Sequence, residues 1–304
     1  MSGTRPARVV AAHGRHCLVE GEDGQRTLCH PRGKKSAVVV GDIVAWQPTG
    51  DEGSIERIET RRNLFYRQDE MRTKAFAANL DQVLILLAAE PVFSESQLTR
   101  ALLAAEAEGI SAFIVLNKQD LGEAFAQAWA RLDAYRRMGT AVLPLGLQQG
   151  QGLDALRERL AGRHTLVLGP SGVGKSTLVN RLVPEAGAQT GEISRALNTG
   201  RHTTTSTTWY WLDAARESAL IDSPGFQEFG LHHLEAERLA QLMPDLRATL
   251  GDCRFYNCTH RHEPGCGVRS HVGADPASDP LAIDEGRYRL YNELFDELAN
   301  KRLY

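Results

Sequence analysis

The chain has 304 residues, 42% hydrophobic and 24% charged, which allows two or three domains with packed cores. Its formal net charge is −3, so no chain-wide basic field marks it as a nucleic-acid binder; residues 1–72 hold 12 Lys/Arg against 10 Asp/Glu and lean basic only weakly. The most apolar run, VLILLAA at 83–89, is far short of bilayer length, and MSGTRPARVV carries no signal-peptide core, so a soluble, cytoplasmic chain without membrane contact is expected.

Residues 1–70 read as five short strands, ARVVAA, RHCLVE, QRTLCH, DIVAWQ and SIERIE, separated by Gly, Asp and Pro clusters. Five strands in so short a span predict a small barrel. An OB-fold leads, and a generic barrel without a ligand is the alternative.

Near residue 73 the rhythm changes. Strands DQVLILLAA, SAFIVLN, AVLPL, HTLVLG, TTWYWL and SALIDSPG alternate with helical segments at 94–108, 122–138, 153–161 and from Lys175. Alternation of this kind specifies a doubly wound α/β sheet over 71–230. Residues 231–304 form a third unit, first irregular and then helical in DEGRYRLYNELFDELANKRL. In that helix Arg287, Tyr288 and Tyr291 fall close together, and interdomain packing is favoured for them over RNA contact.

The sheet carries its chemistry at strand ends. Asn117-Lys118-Gln119-Asp120 follows AFIVL. A carboxylate there accepts from the ring N–H and the exocyclic amine of guanine; adenine offers no such adjacent donor pair and would leave Asp120 unpaired. Asn117 would fix the loop, and the Lys118 stem would cover the ring.

GPSGVGKS, from Gly169 to Ser176, follows HTLVL and opens the helix KSTLVNRLV. This strand–loop–helix context is what a phosphate-binding loop requires. The backbone of Gly169, Pro170, Ser171, Gly172, Val173 and Gly174 can wrap phosphates at a helix N-terminus. Lys175 would reach the β- and γ-phosphates, Ser176 would offer a hydroxyl to Mg²⁺, and Thr177 would meet the α-phosphate.

Asp222-Ser-Pro-Gly225 ends SALI, with Asp222 placed to support Mg²⁺ and the Gly225 N–H to meet a γ-phosphate oxygen. Between the two motifs lies GRHTTTSTT, where Thr203, Thr204 and Thr205 are candidates for Mg²⁺ and Thr204 is preferred. Phe226 follows Gly225 and cannot orient water. His202 is the nearest polar substitute for that catalytic task.

The order of these motifs is inverted relative to ordinary guanine-nucleotide switches, because the base reader precedes the phosphate loop. A sheet tolerates such a re-cut when neighbouring ends can be joined, and the short link from the 153–161 helix into HTLVL supplies the join. The new cut places Gly225 at a domain junction, so nucleotide state is expected to couple to the segment that follows.

That segment, DCRFYNCTHRHEPGCGV, contains Cys253, Cys258, His260 and Cys266. Three thiols and an imidazole suit a closed, structural Zn²⁺ site, one per chain, with His262 a rival to His260.

Taken together, the barrel, the order NKQD, GPSGVGKS, GRHTTT, DSPG and the Cys/His tail resemble the ribosome small-subunit-dependent GTPase A family of bacteria. The resemblance covers nearly the whole chain. It implies an OB-fold, a circularly permuted P-loop GTPase domain and a zinc domain. It also implies hydrolysis of GTP to GDP stimulated by the small ribosomal subunit, a role in late maturation of that subunit, and ribosomal RNA contacts by barrel and zinc domain. It strengthens water activation by His202. A monomer is expected. One departure is Gly146-Leu147, where many GTPases have Ser-Ala beside the guanine. Competing readings are a P-loop ATPase or small-molecule kinase, against which Asp120 argues, and an RNA-binding scaffold without turnover.

Overall fold

The computed structural model describes residues 4–32, 38–187, 189, 193, 207–225 and 228–301. The first five strands are β1 (Arg5–His13), β2 (His16–Glu20), β3 (Arg26–Pro31), β4 (Ile43–Thr49) and β5 (Glu52–Ile58). They pair in the order β1-β2-β3-β5-β4, and β1–β4 pairing closes the ring. Alternation sends Val9, Val19, Val44, Trp46 and Ile55 inward with Cys17 and Cys29. The two cysteines face each other in register between β2 and β3. The result is the closed five-stranded barrel the turn-rich sequence predicts.

A hairpin follows that the sequence did not announce: β6 (Leu64–Gln68) and β7 (Thr73–Ala78). Its loop, Asp69-Glu70-Met71-Arg72, has no glycine and none of the dipeptides that mark two-residue hairpin turns. The hairpin therefore straddles the boundary expected near residue 70.

The α/β unit then supplies β8 (Gln82–Ala88), α1 (Glu95–Ala107), β9 (Ser111–Asn117), α2 (Glu123–Arg131), α3 (Asp133–Arg137), β10 (Val142–Pro144), α4 (Leu153–Leu160), β11 (His164–Leu168), α5 (Lys175–Leu182), β12 (Thr208–Trp211) and β13 (Ala219–Asp222). The expected single helix over 122–138 is two. Leu132 (φ −87°, ψ 4°) leaves helical geometry, is fully buried, and donates to Trp129 three residues back.

Strand order is β10-β9-β8-β11-β13-β12, parallel except for β12. Both faces are covered, so β8 is buried at all seven positions. Leu84, Leu86, Val115 and Val167 pack under Leu156, Leu160 and Leu178 of α4 and α5. On the other face Ile85, Ile114, Leu166 and Ile221 share a core with Leu98, Leu103 and Tyr135, and with Leu239, Leu246, Tyr291 and Leu294 of the C-terminal region.

Two joints tie the units together. At the first, β12 meets β1 antiparallel at Ala11↔Thr208, so the α/β sheet runs on into the barrel. The Arg8 guanidinium lies 4.5 Å over the Trp209 ring, and Trp211 Nε1 donates to Glu20 at 2.6 Å. At the second, the terminal helix (Glu285–Ala299) docks on α1. There Arg287, 3% exposed, forks onto Asp245 at 2.9 and 3.0 Å and donates to Thr99 at 3.0 Å, while Arg100 pairs with Glu297. Arg287 is therefore a packing residue, as favoured from its position. No described helix is long and apolar enough to cross a membrane.

Candidate nucleotide site and candidate metal centre

Parallel strands end together. Asn117 closes β9, Ala88 closes β8 opposite it, Leu168 closes β11 and Asp222 closes β13. This carboxyl edge is where open α/β sheets bind ligands. The strand order puts NKQD and the 169–176 loop one strand apart although 48 residues of chain lie between them.

The two motifs touch directly. Asn117, 3% exposed, donates from Nδ2 to the Val173 carbonyl at 2.9 Å. Its Oδ1 accepts from the Leu147 amide at 3.4 Å. Gly174 sits at φ 100°, and a Cβ there would lie 2.5 Å from Asn117 Nδ2. Glycine is thus required both by backbone angle and by the close approach of the asparagine. Lys118 occupies the left-handed region (φ 66°), which turns the chain so that Gln119 donates to the Leu145 carbonyl at 3.1 Å. Asp120 is exposed at the mouth of this loop.

The Gly146-Leu147 segment packs beside Asn117. Gly146 and Gln151 exchange hydrogen bonds of 2.9 and 3.1 Å, closing a small loop beside Asn117. The departure from Ser-Ala removes a hydroxyl and leaves the amide of Leu147 in the network.

On the phosphate side, Gly169 is buried, and Ser171, Gly172, Ser176 and Thr177 are exposed around the mouth of α5. Lys175 Nζ lies 3.2 Å from Asp222 Oδ1 and donates to the Ser223 carbonyl at 2.6 Å. Burial pushes the Asp222 carboxyl above its ordinary range, and the Lys175 ammonium opposes that shift. Gly225 lies over the loop: a Cβ on it would be 3.5 Å from the Gly169 carbonyl and 3.8 Å from the Ser171 amide. His202, Thr203, Thr204, Thr205 and Phe226 lie outside the described residues.

The sequence reading missed Ser223, whose Oγ donates to the Val167 carbonyl at 2.7 Å and whose own carbonyl holds Lys175. Nothing in the local pattern distinguishes that serine from a turn residue.

In the C-terminal region the ligand atoms of Cys253, Cys258, His260 and Cys266 lie within 4.8 Å of one another. His260 Nδ1 is 3.4 Å from Cys253 Sγ and 3.6 Å from Cys266 Sγ. A tetrahedral metal with arms of about 2.3 Å to sulfur and 2.0–2.1 Å to nitrogen has S···N edges of roughly 3.5 Å, so this donor set fits a metal ion. His260, rather than the exposed His262, joins the thiols.

The support around the cluster was also not legible in spacing. Gly267 and Arg269 point backbone N–H groups at Cys253 and Cys266 sulfur, at 3.3 and 3.5 Å, and so orient the two side chains. Glu263 accepts from the amides of Thr259, Arg261 and His262 and from Thr259 Oγ1, folding the ligand loop around one carboxylate. Tyr288 and Tyr291 of the terminal helix donate to the carbonyls of His260 and Thr259, each at 2.7 Å.

Comparison with known proteins agrees with this geometry. The RsgA GTPase family matches residues 58–232. A protein of Variovorax paradoxus named small ribosomal subunit biogenesis GTPase RsgA is 63% identical over 97% of this chain and 92% of its own length. Proteins of the same name from Bordetella pertussis and Burkholderia pseudomallei are 51% and 54% identical, over 97% and 96% of this chain and 97% and 92% of theirs. The crystal structure of YjeQ from Thermotoga maritima superposes with a TM-score of 0.74 at 28% identity, covering 98% of this chain and all of that one. YloQ, described as a circularly permuted GTPase, superposes with a TM-score of 0.72 at 25% identity over 100% and 98%. The inverted motif order is therefore a genuine circular permutation, and the chain belongs to the RsgA GTPase family.

Proposed function

We propose that this chain hydrolyses GTP during biogenesis of the small ribosomal subunit, with the subunit as partner and stimulator. The observation that carries the reading is the Asn117–Val173 hydrogen bond, which locks a guanine-reading motif to a phosphate loop across two strands. Asp120 reads guanine at the loop mouth, aided by Lys118 and Gln119. The backbone of Gly169–Gly174 with Lys175, Ser176 and Thr177 holds the phosphates. Asp222, Ser176 and a threonine of 203–205, Thr204 preferred, serve Mg²⁺, and Gly225 senses the γ-phosphate. Lys175, 3.2 Å from Asp222, is within reach of a phosphate oxygen that competes for the same ammonium. His202 orients the attacking water.

The metal held by Cys253, Cys258, His260 and Cys266 is Zn²⁺ in a structural role, because four protein donors close the shell. When bound, it braces the 253–266 loop against the terminal helix. Ribosomal RNA contacts belong to the barrel and to this loop. The division of labour runs over 1–70, 71–230 and 231–304. The chain acts as a cytoplasmic monomer.

The test is GTP turnover with and without purified small ribosomal subunits. Stimulation by the subunit is expected, with ATP failing to compete. ATP competing equally would favour the ATPase or kinase reading, absence of turnover would favour the scaffold, and turnover that the subunit does not stimulate would favour a different target.

A further inference from the structure

We propose that Ser223 is the positioning residue of the phosphate-binding lysine: its hydroxyl, bonded to the strand that leads into the 169–176 loop, fixes the backbone carbonyl that holds the Lys175 ammonium. The inference deepens the reading of that loop as a phosphate site and rests on it.

The geometry is a short chain of bonds. Strands β11 and β13 run parallel, and their register ends at the Val167↔Asp222 pair. One residue past it, Ser223 Oγ donates to the Val167 carbonyl at 2.7 Å. Ser223 is fully buried, so bulk water cannot take the place of that bond. Its own carbonyl accepts from Lys175 Nζ at 2.6 Å, closer than the 3.2 Å between that nitrogen and Asp222 Oδ1. Pro224 follows, and a residue before proline is biased to extended backbone geometry. The Ser223 carbonyl is thus held from two sides, by its own hydroxyl and by the ring that comes next.

A lysine needs such a holder because its stem is flexible. Ordering the stem at the moment of binding costs affinity, and ordering it beforehand removes that cost. Lys175 opens α5, and its side chain is only 10% exposed. An ammonium has three donors. Among the described residues Asp222 and Ser223 take two of them, which leaves one for a phosphate oxygen. The two holders differ in kind. Asp222 is charged and has a second task, Mg²⁺, in the functional reading. The Ser223 carbonyl is neutral and has no other task, so it keeps the ammonium in place whichever way the carboxylate turns.

The experiment measures displacement of a fluorescent guanine nucleotide from the full-length protein by GTP and by GMP. GMP lacks the β- and γ-phosphates assigned to Lys175, so it reports the base site and the fold. Ser223→Ala is expected to weaken GTP binding about tenfold, the scale of one hydrogen bond to a charged group, and to leave GMP binding unchanged. Ser223→Thr, which keeps the hydroxyl, should bind GTP as wild type does. Ser223→Val, which has the same shape without the hydroxyl, should bind it about tenfold more weakly than Ser223→Thr. Both of these variants add one methyl group at the same buried place, so their difference reads the hydroxyl even if the alanine variant loosens the fold. Equal loss of GTP and GMP binding in Ser223→Ala, or equal GTP affinity in the threonine and valine variants, would overturn the proposal. A wild type that binds GTP no more tightly than GMP would strike the reading of the phosphate loop and the inference with it. Full GTP affinity in Ser223→Ala, beside a wild type that does prefer GTP, would strike the inference alone.

Discussion

Asn117 Nδ2 and the Val173 carbonyl are 2.9 Å apart, inside a site where both are buried. The NKQD loop and the 169–176 loop are thereby one mechanical unit. Removing the amide leaves a buried carbonyl without its donor, which costs about 1–3 kcal/mol. Asn117→Ala is therefore expected to lower unfolding stability by that amount and to weaken GTP binding at least about tenfold. Denaturant unfolding and calorimetric titration measure the two effects on one sample. Unchanged affinity alongside lost stability would mean the bond serves the fold alone.

Asp120 is exposed and ends the same motif, so its replacement separates recognition from stability. Asp120→Asn is expected to leave the unfolding midpoint within about 0.5 kcal/mol of wild type. Its preference should move from guanine to xanthine nucleotides, since an amide can donate where the carboxylate could only accept. Competition between GTP and XTP reads this directly, and retained GTP selectivity would remove Asp120 from the base.

Much of this architecture is legible in the sequence because it rests on local chemistry. Glycines at 169 and 174, the strand before them and the Lys-Ser after them specify a loop whose geometry follows from backbone sterics. Five short strands with polar breaks specify a barrel. What stayed hidden depends on long-range register. The hairpin Leu64–Ala78 has no turn signature, and Gln68 bridges from it to Gly230–His232, about 160 residues away. The break at Leu132 comes from tertiary burial overriding helical pattern. Glu263 looks like a surface acid until the ligand loop folds around it. The inverted order of NKQD and GPSGVGKS was the most informative feature because it is a statement about topology that motif chemistry alone cannot fake.

His233 supplies a pH signature for the junction of hairpin and C-terminal region. Its ring packs on Tyr66 at 4.5 Å, and among the described residues neither ring nitrogen has a hydrogen-bond partner. Burial, with Lys301 and His232 nearby, pushes its pKa down to about 4. The neutral ring is the form the fold accepts. Its contribution is fully present above the ordinary histidine value of about 6.5 and is lost as pH falls through about 4. Wild type should therefore lose stability more steeply than His233→Phe between those limits. Urea midpoints across that window check the slope, and parallel curves would exclude His233 as the source.

Phe229 carries the last expectation, because it follows the Gly225 segment and anchors it. Its ring is 1% exposed, 5.8 Å from Phe65 and stacked 6.0 Å from Phe76 of the hairpin. On either side, Arg67 donates to the Glu228 carbonyl, and Gln68 exchanges bonds of 3.1 and 2.9 Å with Gly230 and His232. The chain that follows Gly225 thus binds the hairpin that leads back to the barrel before it reaches the Cys/His loop. The inverted motif order predicts coupling of nucleotide state to the C-terminal segment, and the hairpin contacts the chain that leads into that segment. Phe229→Ala should cost about 3–5 kcal/mol as a large-to-small core change. Phe229→Leu, which conserves most of the apolar volume, should cost less than about 1.5 kcal/mol. If the aromatic cluster transmits nucleotide state, Phe229→Leu should keep basal GTP turnover and lose much of the stimulation by the small subunit. Full stimulation in that variant would confine Phe229 to packing.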